Sequence, residues 1–192
     1  MRRRTLDMLL SGAGLVVATV MLVGSGLGFW ASSFVSSQVY DQLSAQKIYF
    51  PPAGSKAITG PEFDAIQQYA GQQLTTGPQA EAYANHFIGV HLNEVAGGKT
   101  YAEVSNAARA DPTNLKLKAQ VETLFRGNTL RGLLLNAYAF GTTGMLAGVV
   151  GVVLLVGALL LLVLSGLGIW HSRRVHDEGG VPASSVVDPV LV

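Results

Sequence analysis

The chain contains no cysteine, so no disulfide can staple its fold. It is also poor in charge: Asp, Glu, Lys and Arg make up 13% of its 192 residues, about half the share usual in soluble domains. The formal net charge is only +1, which gives a nucleic-acid partner no electrostatic footprint. Two long blocks lack Asp, Glu, Lys and Arg altogether, one between Asp7 and Asp41 and the other between Arg131 and Arg173. Each exceeds the roughly 20 apolar residues that cross about 30 Å of hydrocarbon. These gaps exclude a freely soluble enzyme and point to an integral membrane protein.

The first block carries LVVATVMLVGSGLGFW from Leu15 to Trp30. A signal peptide would share its basic start, Arg2-Arg3-Arg4, but signal cores run to about 7–15 residues and this one is longer. An uncleaved anchor is expected, with Phe29 and Trp30 at an interface. The second block reads GMLAGVVGVVLLVGALLLLVL from Gly144 to Leu164, followed by Trp170, His171, Arg173 and Arg174. Both basic clusters favour the cytoplasm, so both ends are expected inside and the middle outside. The charge-free stretch from Gly132 to Ser172 would measure about 60 Å as a helix at 1.5 Å per residue. It has no polar turn for a hairpin, so one helix is expected to run from the outer domain into the bilayer.

The middle carries a balanced surface of eight basic and eight acidic side chains between Ser37 and Arg131. Its punctuation is helical. Gly60-Pro61-Glu62 opens a helix expected to carry Phe63, Ile66 and Tyr69 up to Gly71. Thr76-Gly77-Pro78 opens a second, with Tyr83, Phe87, Ile88, His91 and Val95 at helical spacing and Gly97-Gly98 as its stop. Thr100 and Glu103 form a capping-box pattern for a third. Asp111-Pro112 suggests the cap and first residue of a fourth, whose stripe Leu117, Val121, Leu124 and Phe125 continues towards the second span. The best strand candidate, Ala45 to Phe50, is short and stops at Pro51-Pro52.

The expected architecture is therefore an all-α membrane protein, two transmembrane helices flanking a small helical extracytoplasmic domain. Its divisions are residues 1–7 (cytoplasmic), 8–36 (first span), 37–137 (outer helical domain), 138–170 (second span) and 171–192 (a cytoplasmic tail expected to be disordered).

Chemistry-bearing patterns are few. His86 and His91, at i and i+5, diverge by about 140° on a helix of 3.6 residues per turn, whereas zinc helices place ligands at i and i+4. Gly98-Lys99-Thr100 imitates the end of a phosphate loop, but Asn93 stands where that pattern needs glycine. No nucleophile-elbow pattern occurs. No metal, cofactor or catalytic residue is expected, and the chain is read as a non-enzyme. Neither span has an ionisable group near its centre, which argues against an ion or proton path. Small residues stand out instead. Gly24 and Gly28 in the first span, and Gly144, Gly148 and Gly151 in the second, have the spacing that lets helix backbones approach closely.

The phrases YFPPAGSKAI (Tyr49 to Ile58), YAGQQLTTGPQAEAYANHFIGVHL (Tyr69 to Leu92), GGKTYAEV (Gly97 to Val104), DPTN (Asp111 to Asn114) and LFRGNTLRGLLLNAYAFGT (Leu124 to Thr142) resemble a family of two-span actinobacterial membrane proteins. Some similar proteins carry the label aromatic ring-opening dioxygenase, which implies a non-haem iron held by two His and a carboxylate. His86 and His91 do not supply that set, so the resemblance implies topology and no catalytic residue.

The leading expectation is a non-enzymatic accessory subunit or scaffold of the cell envelope, in contact with membrane lipid and with a protein partner or a second copy of itself. The alternative is an extracytoplasmic ligand-binding or sensory module that signals through a partner. Tyr69, Tyr83, Phe87, His91 and Tyr101 are the candidate lining of its pocket.

Overall fold

The computed structural model describes residues 3–177, with side chains described for 5–173. Arg2, the Arg174 side chain and the residues from Glu178, where most of the tail expected to be disordered falls, lie outside the described residues. Among the described residues six α-helices occur in the order α1 (Arg3–Ala45), α2 (Asp64–Gln67), α3 (Gly77–Tyr83), α4 (Gly89–Ala96), α5 (Tyr101–Ala110) and α6 (Leu115–Asp177). Two 3-10 turns, Lys56–Ile58 and Pro61–Phe63, precede α2, and a π-helical segment, Ala84–Ile88, joins α3 to α4. Among the described residues no strand forms. Ala45 to Phe50 gives only an isolated antiparallel bridge, Tyr49 with Gln73, held by Phe50 N–H donating to Gln72 O and Leu74 N–H to Ile48 O.

Both charge-free blocks lie in long helices, α1 and α6, that are apolar and long enough to cross a membrane. The stretch from Gly132 to Ser172 is one uninterrupted helix, because its only breakers are glycines and no polar turn intervenes. The chain divides into two compact bodies. One comprises the residues up to Phe29 and from Val149 onward; the other is Trp30–Gly148.

In the first body the helices pack through small side chains. Ser11, Ala18 and Ser25 on α1, and Ala158, Ser165 and Ser172 on α6, are buried at seven-residue intervals, the repeat of a coiled-coil seam. Large apolar side chains point outward: Val20 is 66% exposed and Leu164 63%.

In the second body the core is made of large side chains. Phe50, Ile58, Ile66 and Leu74 are fully buried, with Val39, Leu43 and Leu134 from the long helices in the same cluster. A smaller cluster joins Ala96, Val104 and Leu124. Glutamines tie the loops down. Gln73 Nε2 donates to Ser44 O at 2.8 Å, Gln67 Nε2 to Ile58 O at 2.7 Å and Gln120 Nε2 to Val95 O at 2.8 Å. The last of these satisfies a carbonyl that the end of α4 leaves without a helical partner, while Ser44 O also accepts from Lys47 N–H.

Helix starts follow the capping chemistry. Thr100 and Glu103 form the expected box, and Thr76 with Gln79 forms a second. Gly97 ends α4 at φ 60°, ψ 42°, a left-handed position that glycine adopts without a Cβ clash. Two starts differ from expectation. Pro61 opens a 3-10 turn followed by the one-turn α2, not a helix reaching Tyr69. Asp111-Pro112 does not open the last helix; Asn114 does, its Oδ1 accepting from Leu117 N–H at 3.1 Å. The Asp111 carboxylate is engaged by the Thr113 hydroxyl and the Asn114 amide instead, which holds its pKa below the ordinary value.

Candidate functional site

Within the second body α1, α6 and the π-helical segment enclose a cavity of about 710 Å³, inside the range of small-molecule sites. One face of α1 supplies Phe34, Val35, Gln38, Val39, Gln42 and Leu43. These positions recur at i, i+1, i+4 and i+5, the spacing of a single helix face. Gln46 and Ile48 extend that wall beyond the end of α1. From α6 come Leu130, Leu133, Leu134, Asn136, Ala137 and Phe140. Tyr83 and Ile88, at the two edges of the π-helical segment, close the third side. Among the described residues no Asp, Glu, Lys, Arg or His lines the cavity. Its polar groups are the amides of Gln38, Gln42, Gln46 and Asn136 and the phenol of Tyr83, whose pKa is raised by burial. That phenol is therefore neutral at physiological pH.

The π-helical segment is a local departure that places this wall. Gly89 N–H donates to Ala84 O, five residues back. A Cβ added at Gly89 would lie 3.3 Å from that same oxygen and 3.7 Å from Arg131 Nε. Arg131 from α6 donates to Asn85 Oδ1 at 2.8 Å, and Asn85 Nδ2 donates to Glu81 Oε1 at 2.6 Å. Arg131 Nε itself is buried without a hydrogen-bond partner. Segments of this kind are frequent at functional sites. At the other end of α3, Gly77 packs against α6: a Cβ there would lie 3.4 Å from Tyr138 Cα, an ordinary contact distance.

Of the five aromatic and histidine candidates from the sequence, Tyr83 lines the cavity. Four of them join a file of rings that runs Tyr69, Phe50, Tyr83, Phe87, His91, Phe63, with centroids 4.6 to 5.5 Å apart. Phe87 and His91 thus serve ring packing, and His91 Nδ1 lies 2.8 Å from Phe87 O. Tyr101 stands apart, 6.3 Å from Phe125. Among the described residues no group of three or more His, Asp or Glu is placed to hold a metal ion.

The glycine candidates face helices of the same chain. A Cβ added at Gly24 would lie 3.1 Å from Leu154, and one at Gly151 would lie 3.2 Å from Ser25 O and 3.3 Å from the Phe29 ring. At Gly144 it would meet Val35 at 2.8 Å, and at Gly148 it would meet Ser32 Oγ at 2.8 Å. Gly28 is partly buried. The cavity itself escaped the sequence reading, although the stripe Phe34, Gln38, Gln42 on α1 and the stripe Leu130, Leu134, Ala137 on α6 were its signal.

No family model, curated protein or solved structure matches this chain.

Proposed function

We propose that this protein is a two-pass integral membrane protein, both ends cytoplasmic, whose outer helical domain binds a small apolar ligand. The observation that carries the binding reading is the uncharged cavity of about 710 Å³. The membrane reading is supported by the surface of α1 and α6, where only 11% of the most apolar 18-residue window of each helix is buried. A soluble protein would hide such windows in its core. The basic residues Arg3, Arg4 and Arg173 favour the cytoplasmic side. An interaction role through the glycine faces has less to stand on, because Gly24, Gly144, Gly148 and Gly151 contact helices of the same chain. The role proposed is recognition and not catalysis: the cavity brings together amides and one neutral phenol, with no acid, base or nucleophile paired for reaction.

Two measurements test this reading. Because the chain has no cysteine, single introduced thiols report topology without background. A membrane-impermeant maleimide is expected to label Ala53→Cys in intact cells, and to label Thr5→Cys or Arg173→Cys only after permeabilisation; the reverse pattern overturns the topology. A neutral solvatochromic dye is expected to bind saturably to lipid-poor protein held in an amphipathic polymer. Ala137→Trp, which projects an indole into the cavity, is expected to weaken that binding about tenfold or more with helix content unchanged. Absence of saturable binding overturns the ligand reading.

A further inference from the structure

We infer that the occupant of the cavity is the hydrocarbon chain of a membrane lipid, with an uncharged, hydrogen-bonding head at the glutamine edge. This rests on the ligand-binding reading above and adds the ligand's class and its route. Three observations carry it. First, the lining includes exposed apolar side chains: Phe34 is 52% exposed, Leu133 62% and Phe140 59%. Such a surface is unfavourable against water but costs nothing against lipid tails.

Second, these residues belong to the blocks that carry no Asp, Glu, Lys or Arg, from Met8 to Tyr40 and from Gly132 to Ser172. A chain can therefore slide in from hydrocarbon without crossing a charged side chain of either block. Third, most of the polar groups stand on one wall. Gln38, Gln42 and Gln46 recur every four residues on one wall, and Asn136 stands on another. Amides both donate and accept, so they suit hydroxyl, ester, amide or sugar oxygens. With no charged side chain in the lining, nothing selects a phosphate or carboxylate. A lipid whose head is a neutral hydrogen-bonding group fits; one recognised by its charge does not.

The full-length protein reconstituted in vesicles provides the test. A neutral diacylglycerol and an anionic phosphatidylglycerol, each with a photoactivatable group in one acyl chain, serve as probes. Crosslinks from the diacylglycerol are expected in the peptides that hold 34–46 and 130–140. They should be about tenfold weaker in Ala137→Trp and insensitive to salt. Replacing Gln38 and Gln42 by Leu is expected to reduce diacylglycerol labelling about fivefold for each lost hydrogen bond. If the dye binds as above but neither lipid labels these peptides, the lipid inference fails while the ligand reading stands. Stronger, salt-sensitive labelling by the anionic lipid overturns the neutral-head assignment. Labelling in Ala137→Trp equal to that of the wild type overturns the cavity as the binding site.

Discussion

The two bodies of this protein bury opposite kinds of residue. The first packs Ser11, Ala18, Ser25, Ala158 and Ser165 inward and leaves valines and leucines outside; the second hides Phe50, Ile58, Ile66 and Leu74. Burying a large apolar side chain is favourable only when the alternative is water. In hydrocarbon that gain vanishes, and close backbone approach through small residues supplies the dispersion contacts that remain. The contrast is what two different solvents would select along one chain.

Substitutions can break that contrast. The largest effect is expected from Phe50→Ala in the second body, a loss of about 3–5 kcal/mol, whereas Leu27→Ala on the exposed face of α1 should change stability little. Denaturant unfolding followed by Trp fluorescence and by protease resistance of the middle domain checks both; equal losses would mean both bodies pack alike. Next in size is Gly151→Leu, which must displace Phe29 or the backbone at Ser25 and is expected to cost about 1–3 kcal/mol. Gly166→Leu, with open space around it, is its control. Thermal unfolding of the pair should separate them, and no separation would remove the small-residue seam as the packing surface.

Smaller effects sharpen the account of the middle domain. Thr76→Ala removes one side of a capping box and is expected to cost about 0.5–2 kcal/mol, read as a lower unfolding midpoint. Thr76→Ser, which keeps the hydroxyl, should recover most of it. The smallest effect is a pH dependence. Glu103 has its pKa lowered, first by the backbone N–H of Thr100, then by the Thr100 hydroxyl, with Lys99 adding a weaker pull. A carboxylate with a depressed folded pKa contributes stability above its ordinary pKa and loses it as pH falls through the depressed value. Acid titration of stability should therefore be shallower in Glu103→Gln below the ordinary carboxylate range of about 4 to 4.5, and an unchanged slope would remove that bond from the balance.

Much of this fold was legible in the chain because the signals are local. The capping threonine at Thr100, the glycine stop at Gly97 and the unbroken run from Gly132 to Ser172 each depend on neighbours within a few residues. Pro61 misled because a proline start does not say how long a helix lasts; tertiary packing held the segment to a 3-10 turn and the one-turn α2. Asp111 misled because Asp and Asn compete for the same role, and Asn114 won it three residues later. The π-helical segment gave no sequence signal, and the bond from Arg131 to Asn85 that ties it to α6 joins residues 46 positions apart. The candidate site was the least legible part. Tyr83, Phe87 and His91 do fall in helical segments as their spacing suggested, yet Tyr69 lies beyond α2, Tyr101 pairs with Phe125, and ring-to-ring packing takes up Phe87 and His91.

By itself the sequence determined the helical class, the two apolar helices and the places where charge is absent, because hydropathy and capping act over short distances. Only the tertiary structure decided which faces meet. The seven-residue seam of small side chains and the cavity edged by Gln38, Gln42 and Asn136 exist because residues about a hundred positions apart come together. Such meetings depend on the shape and volume of both surfaces, which no single stretch of chain encodes.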